Sequence, residues 1–89
     1  MYSVLRSCNS GQAFVARPDG PFDRDIRKMA DRLGASGHEV LTDAGVLLVI
    51  RSPDGVEYSL FREGKVLVKT PDESVAWDVV RSVEAGFDV

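Results

Sequence analysis

Cys8 and His38 are the side chains in this 89-residue chain, serines aside, whose types could supply a nucleophile and a base near neutral pH. A cysteine–histidine pair works only when the two touch and the thiol pKa is lowered. Nothing in the local sequence brings them together, so the expected roles are a half-buried thiol and a histidine at a strand end. Asp19, Asp23 and Asp25 could bind a hard cation, but they lack the regular ligand spacing of a calcium loop. Their place before and within the first turn of a helix matches the helix dipole instead. Gly34, Gly37, Gly45, Gly55 and Gly64 fall in neither a Walker nor a dinucleotide fingerprint and read as turn and cap residues. Trp77 reads as a filler at the edge of the core. The expectation is a protein that is not an enzyme, with no catalytic residues, no metal ligands and no cofactor.

The elements that position these residues centre on Val46–Thr70, VLLVIRSPDGVEYSLFREGKVLVKT, which reads as three strands joined by two tight turns. Ser52-Pro53-Asp54-Gly55-Val56 and Phe61-Arg62-Glu63-Gly64-Lys65 each fit a three-residue hairpin loop, a type I turn followed by glycine in the left-handed position. With Ser52 closing on Val56 and Phe61 on Lys65, the pairings run Ile50–Tyr58–Val68 and Leu48–Leu60–Val66 on one face. Leu47–Phe61–Lys65, Val49–Ser59–Leu67 and Arg51–Glu57–Lys69 occupy the other, with Glu57 between two cations. A two-residue turn at Glu63-Gly64 would scramble the apolar face, which selects the bulged register.

Upstream, Gln12–Arg17 reads as a strand with Phe14 and Ala16 on one face and Ala13 and Val15 on the other. Tyr2–Cys8 either pairs with it as a hairpin or forms a ragged terminus. Phe22, Ile26, Met29, Ala30 and Leu33 make one helical stripe, predicting a helix over Phe22–Leu33 ended by Gly34. His38–Thr42 is a modest strand. Thr70 as N-cap, Pro71 at the first helical position and Glu73 completing a capping box open a last helix. Val75, Ala76, Val79, Val80 and Val83 form its apolar face, Gly86 ends it, and Phe87 folds back toward the core.

The expected fold class is therefore α+β, a two-layer sandwich in one domain over residues 1–89. Its antiparallel sheet has the order β-α-β-β-β-β-α, with or without an extra N-terminal strand. A chain of this length buries roughly 60–65% of its unfolded surface, enough for one small core. The net charge of −3 gives no global basic field for nucleic acid. One cysteine, no apolar run of the ~20 residues that span a bilayer and no basic-then-apolar leader make a cytoplasmic protein without membrane partners the expectation.

The sheet face away from the helices departs from the usual polar pattern. Leu47, Val49, Phe61 and Leu67 form an apolar patch rimmed by Arg51, Glu57, Lys65 and Lys69. Either the N-terminal segment or the C-terminal tail covers it, or it is a surface for a protein partner or a second copy of the chain. Nucleic-acid binding through the same face is the alternative, with Phe61 stacking or wedging and Arg51, Arg62, Lys65 and Lys69 on phosphates.

The β-α-β-β-β-β-α order resembles one half of the TATA-box-binding protein fold. Leu60-Phe61, Gly64-Lys65, Val66 to Val68 and Asp72-Glu73 are similar to that family's strand ending in Phe, turn with Gly-Lys, strand, and acidic helix start. The pattern covers residues 46–74. The resemblance implies minor-groove binding by the open sheet face, with phenylalanines wedged between base steps. Phe61 stands where one such Phe would lie, and the partner position falls near Ala44. That family has two repeats forming a saddle; this chain has one, and a homodimer would rebuild the saddle. Residues 57–83 also resemble a short tail module that follows ubiquitin-activating-like adenylyltransferase domains, which implies an accessory role.

Overall fold

The computed structural model describes residues 1–87, the side chain of Asn9 excepted. The strands are β1 (Leu5–Cys8), β2 (Ala13–Ala16), β3 (Glu39–Asp43), β4 (Leu47–Arg51), β5 (Glu57–Phe61) and β6 (Val66–Val68). The helices are α1 (Ile26–Ala35) and α2 (Glu73–Phe87), and a 3-10 turn at Asn9–Gly11 joins β1 to β2. All neighbouring strands pair antiparallel in the order β1-β2-β6-β5-β4-β3. Both helices pack on one face, α1 against β3 and β4 and α2 against β2 and β6. The result is the expected two-layer α+β sandwich. The N-terminal strand extends the sheet at one edge.

The central register is the one the turns demand. The Ser52 N–H donates to the Val56 carbonyl at 2.8 Å and the Phe61 N–H to the Lys65 carbonyl at 2.9 Å. Gly55 and Gly64 take φ of +88° and +97°, closing each loop with a bulge. Leu48, Ile50, Tyr58, Leu60, Val66 and Val68 consequently share one face and are fully buried beneath the helices. Met29 and Leu33 of α1 and Ala76, Val80 and Val83 of α2 meet them.

Several local details differ from expectation, each for a capping or packing reason. Helix α1 begins at Ile26, because Asp25 caps it by accepting the Arg27 N–H at 2.9 Å. Phe22 precedes the helix but still packs on the core, edge-on to Phe87 with ring centroids 5.2 Å apart. Gly34 lies inside α1; Ser36 is the C-cap and Gly37, at φ +93°, takes the position expected of Gly34. Asp72, not Thr70, caps α2: its Oδ1 accepts the Ser74 N–H at 2.9 Å and the Val75 N–H at 3.4 Å. Thr70 supports the cap from outside, its hydroxyl accepting the Asp72 N–H. Gly86 continues α2, because the absent Cβ makes room for Met29, whose Cε would lie 2.9 Å from it.

The N-terminus is built differently from a plain strand. Only Leu5–Cys8 pairs with β2, and Tyr2 turns inward to become one of the largest fully buried side chains. Its hydroxyl donates to the Gly64 carbonyl at 2.5 Å and its N–H donates to Glu84 of α2 at 3.0 Å. Burial, reinforced by the Glu84 charge, pushes the phenol pKa up, so the proton that makes this bond is retained.

Candidate functional site

The face opposite the helices is built from alternate residues of every strand. One ladder row runs Arg6, Val15, Leu67, Ser59, Val49 and Thr42 from β1 across to β3. Leu47 and Phe61 pair beside it. Among the described residues no element lies over this face: β1 adds to the sheet edge, and Phe87 packs into the opposite layer. Leu47, Val49, Phe61, Leu67 and Val15 are half-buried by one another, and together they shield Ser59 to 7% exposure in the middle of an uncovered surface. At the β3 edge, Val40 and Leu41 are exposed where a register shift between Val40 and Thr42 bulges the strand.

The charged rim separates into neutralised and unneutralised parts. Lys69 Nζ meets Glu57 at 2.9 Å as the register predicts. Arg51 does not share Glu57; it reaches across to Glu39 of β3 at 3.2 Å. Lys65 sits over the Phe61 ring, 4.2 Å from its centroid. Arg17 follows Ala16 and Lys65 precedes Val66, so both cations leave the β2–β6 ladder at the same end. Arg6, Arg17 and Lys65 form no ion pair among the described residues, so this corner has an excess of cations although Asp19 lines a cleft with Arg6 and Arg17 and the chain is acidic overall. Arg62, expected on phosphates, lies elsewhere, in an open cleft at the N-terminal end of α1 with Arg24, Arg27, Asp23 and Asp25. Ala44 sits in the turn between β3 and β4.

The sequence pointed to Leu47, Val49, Phe61 and Leu67, and the structure brings them together. It adds Val15, Arg6 and Arg17, which a reading confined to Val46–Thr70 cannot include. The alternation in Gln12–Arg17 showed that Val15 opposes Phe14, but only the β2–β6 pairing shows that Val15 joins Leu67.

The nucleophile and base candidates do not meet. Cys8 closes β1 and His38 precedes β3, at opposite edges of a six-stranded sheet, so roughly 24 Å of sheet width separates them. Asp19 is engaged by the Ser3 N–H at 3.1 Å and the Ser3 hydroxyl at 2.7 Å, bonds that hold its carboxyl below the usual range. Trp77 is half-buried with the Arg81 guanidinium stacked 4.6 Å from its ring centroid.

His38 is instead a buried partner of Tyr58, with Nδ1 2.8 Å from the phenol oxygen and the rings edge-to-face. Tyr58 is fully buried, and its O–H proton has no other acceptor among the described residues. Nδ1 must therefore accept, which leaves the neutral imidazole protonated at Nε2. Burial lowers the His38 pKa, and protonation would also set an N–H against the phenol proton. A histidine depressed below its unfolded value, near 6.5, contributes stability that is complete above that pH. That contribution is lost as pH falls from about 6.5 toward the folded pKa. The melting temperature is expected to fall between about pH 7 and pH 5, and His38→Gln is expected to flatten that stretch. Thermal melts of both proteins across this range check it. Asp72, held below the usual carboxylate range chiefly by the Ser74 hydroxyl, acts only at lower pH, and Glu84, lowered against the effect of burial by its bonds from Arg81 and the Tyr2 N–H, begins to act only at the pH 5 end.

The fold and this face define an open-faced antiparallel sheet backed by two helices. No protein family, curated sequence or solved structure matches the chain. No helix among the described residues is long and apolar enough to cross a membrane.

Proposed function

We propose that this protein is a non-enzymatic binding module that associates through its open sheet face, with a second copy of the chain as the partner. The observation that carries the proposal is the apolar ladder of Val15, Leu67, Val49, Phe61 and Leu47, in register across four strands and uncovered by the described residues. Two such faces pack at the ordinary sheet-to-sheet spacing of about 10 Å. A two-fold axis parallel to the strands sets the β1 edge of one copy over the β3 edge of the other. The face spans about 24 Å by about 17 Å, roughly 400 Å² in projection, which is small beside the ~800 Å² per partner of a standard interface. The expected dimer is correspondingly weak, dissociating at roughly 10–100 µM.

Light scattering over a concentration series tests this. The wild type is expected to move from monomer to dimer, and Phe61→Asp to weaken association at least about tenfold by placing a carboxylate in the apolar contact. A chain that stays monomeric at the highest concentration, or a dimer indifferent to Phe61→Asp, rejects self-association.

The cationic corner of Arg6, Arg17 and Lys65 beside Phe61 favours one second reading, nucleic-acid binding through the same face. The β-α-β-β-β-β-α order from β2 to α2 supports it through the TATA-box-binding protein resemblance. A monomer that binds a short DNA duplex at low salt, with affinity falling steeply as salt rises, would move the assignment to this reading.

A further inference from the structure

On the helix side of the molecule, away from the open face, α1, α2 and the β4–β5 turn leave a cleft of about 450 Å³. That volume lies in the range of small-molecule sites. Ala35, Pro53 and Ala85 supply an apolar lining, Arg32 supplies a cation, and no carboxylate among the described residues lines it. His38 also lines it, and it is the one lining side chain that the fold buries and leaves half used. The residue is 8% exposed, and its Nδ1 is committed to Tyr58. Its Nε2 has no partner among the described residues, and they leave no fully buried polar side-chain atom unsatisfied, so Nε2 is not fully enclosed and is the ring nitrogen free to serve the cleft.

We propose that this cleft binds a small monocarboxylate, with the His38 Nε2–H as a fixed donor and the Arg32 guanidinium as its counter-charge. Tyr58 sets the donor's identity: because its phenol occupies Nδ1, the imidazole stays neutral and presents N–H, never a lone pair, to the cleft. A ligand must therefore bring an acceptor, and a carboxylate also meets the lining cation. The end of α1 would ordinarily repel an anion through its free carbonyls. Here three of the last four are occupied: the Arg32 carbonyl accepts from Ser36, the Gly34 carbonyl from Gly37, and the Leu33 carbonyl from both Ser36 and His38. Arg32 itself donates to the Gly86 carbonyl at 3.1 Å, which anchors the guanidinium at the cleft through one of its donors and leaves the others for a ligand. Tyr58 acts only through His38 and is a positioning residue.

Benzoate is the probe. In a titration of the labelled full chain followed by NMR, saturable shifts are expected at the Ala35, Ser36, Ser82 and Ala85 amides and at the His38 ring. A Kd of about 1 mM is expected, ordinary for so few heavy atoms. Benzyl alcohol, which keeps the ring and loses the charge, is expected to bind about tenfold more weakly or worse. Ala85→Trp, at an exposed helix position, fills the cleft without touching the core and is expected to abolish the shifts. Arg32→Gln is expected to weaken them about tenfold. The imidazole nitrogen shifts of the free protein are expected to show the Nε2–H tautomer. Benzoate shifts that do not saturate, that survive Ala85→Trp, or that gather at Arg6, Arg17 and Lys65 overturn the proposal. So does a His38 found protonated at Nδ1.

Discussion

Gly64→Ala is expected to cost about 3–4 kcal/mol of stability, whereas Gly55→Ala is expected to cost about 1 kcal/mol. The two glycines close turns of the same design at nearly the same φ, +97° and +88°. Both substitutions therefore carry a similar penalty for placing an L side chain in a left-handed conformation. They differ in what a new methyl would meet. Nothing lies within 4 Å at Gly55, but at Gly64 a Cβ would fall 2.6 Å from both Cγ and Cδ2 of Phe22. Cγ is not the free end of a flexible chain, so the whole ring must move, and it carries the edge-on contact with Phe87. Urea and thermal unfolding of the two variants read the difference. For a domain of this size the expected loss in melting temperature is about 15–25 °C at Gly64 and about 5 °C at Gly55. Equal losses would show that Phe22 does not rest on the turn.

Tyr2→Ala is expected to cost about 3–5 kcal/mol, the range for deleting a buried aromatic side chain. Tyr2→Phe keeps the packing and loses only the bond to the Gly64 carbonyl, an expected cost of about 1–2 kcal/mol. The contrast separates the ring from the hydroxyl. Because Tyr2 and Gly64 share that bond, Tyr2→Phe and Gly64→Ala are not expected to add, and a double-mutant cycle in urea measures the coupling. If Tyr2→Ala costs less than about 1 kcal/mol, the segment before β1 does not contribute to the core.

The hairpins were readable because their information is local. In Ser52–Val56 and Phe61–Lys65, glycine at the last loop position dictates the bulge, the bulge dictates the register, and the register sorts every side chain of β4, β5 and β6 onto one face or the other. The helix stripes were readable for the same reason. Cap positions were less so: Thr70 and Asp72 are both good N-caps, and the choice depends on which oxygen the folded backbone presents to Ser74 and Val75. Tyr2 lies near the chain start with no periodicity to mark it, and only the approach of Gly64 and Glu84 makes it a core residue.

What the sequence by itself determined is therefore the sheet's central register and its two apolar faces, since period-2 alternation and turn chemistry act over a few residues. The tertiary structure alone decided that no element among the described residues covers the second face, by sending the N-terminal segment to the sheet edge. It also gathered Arg6, Arg17 and Lys65 at one corner, and joined His38 to Tyr58 at the mouth of a cleft. Those contacts link residues far apart along the chain, and pairing at such separation is selected by global packing.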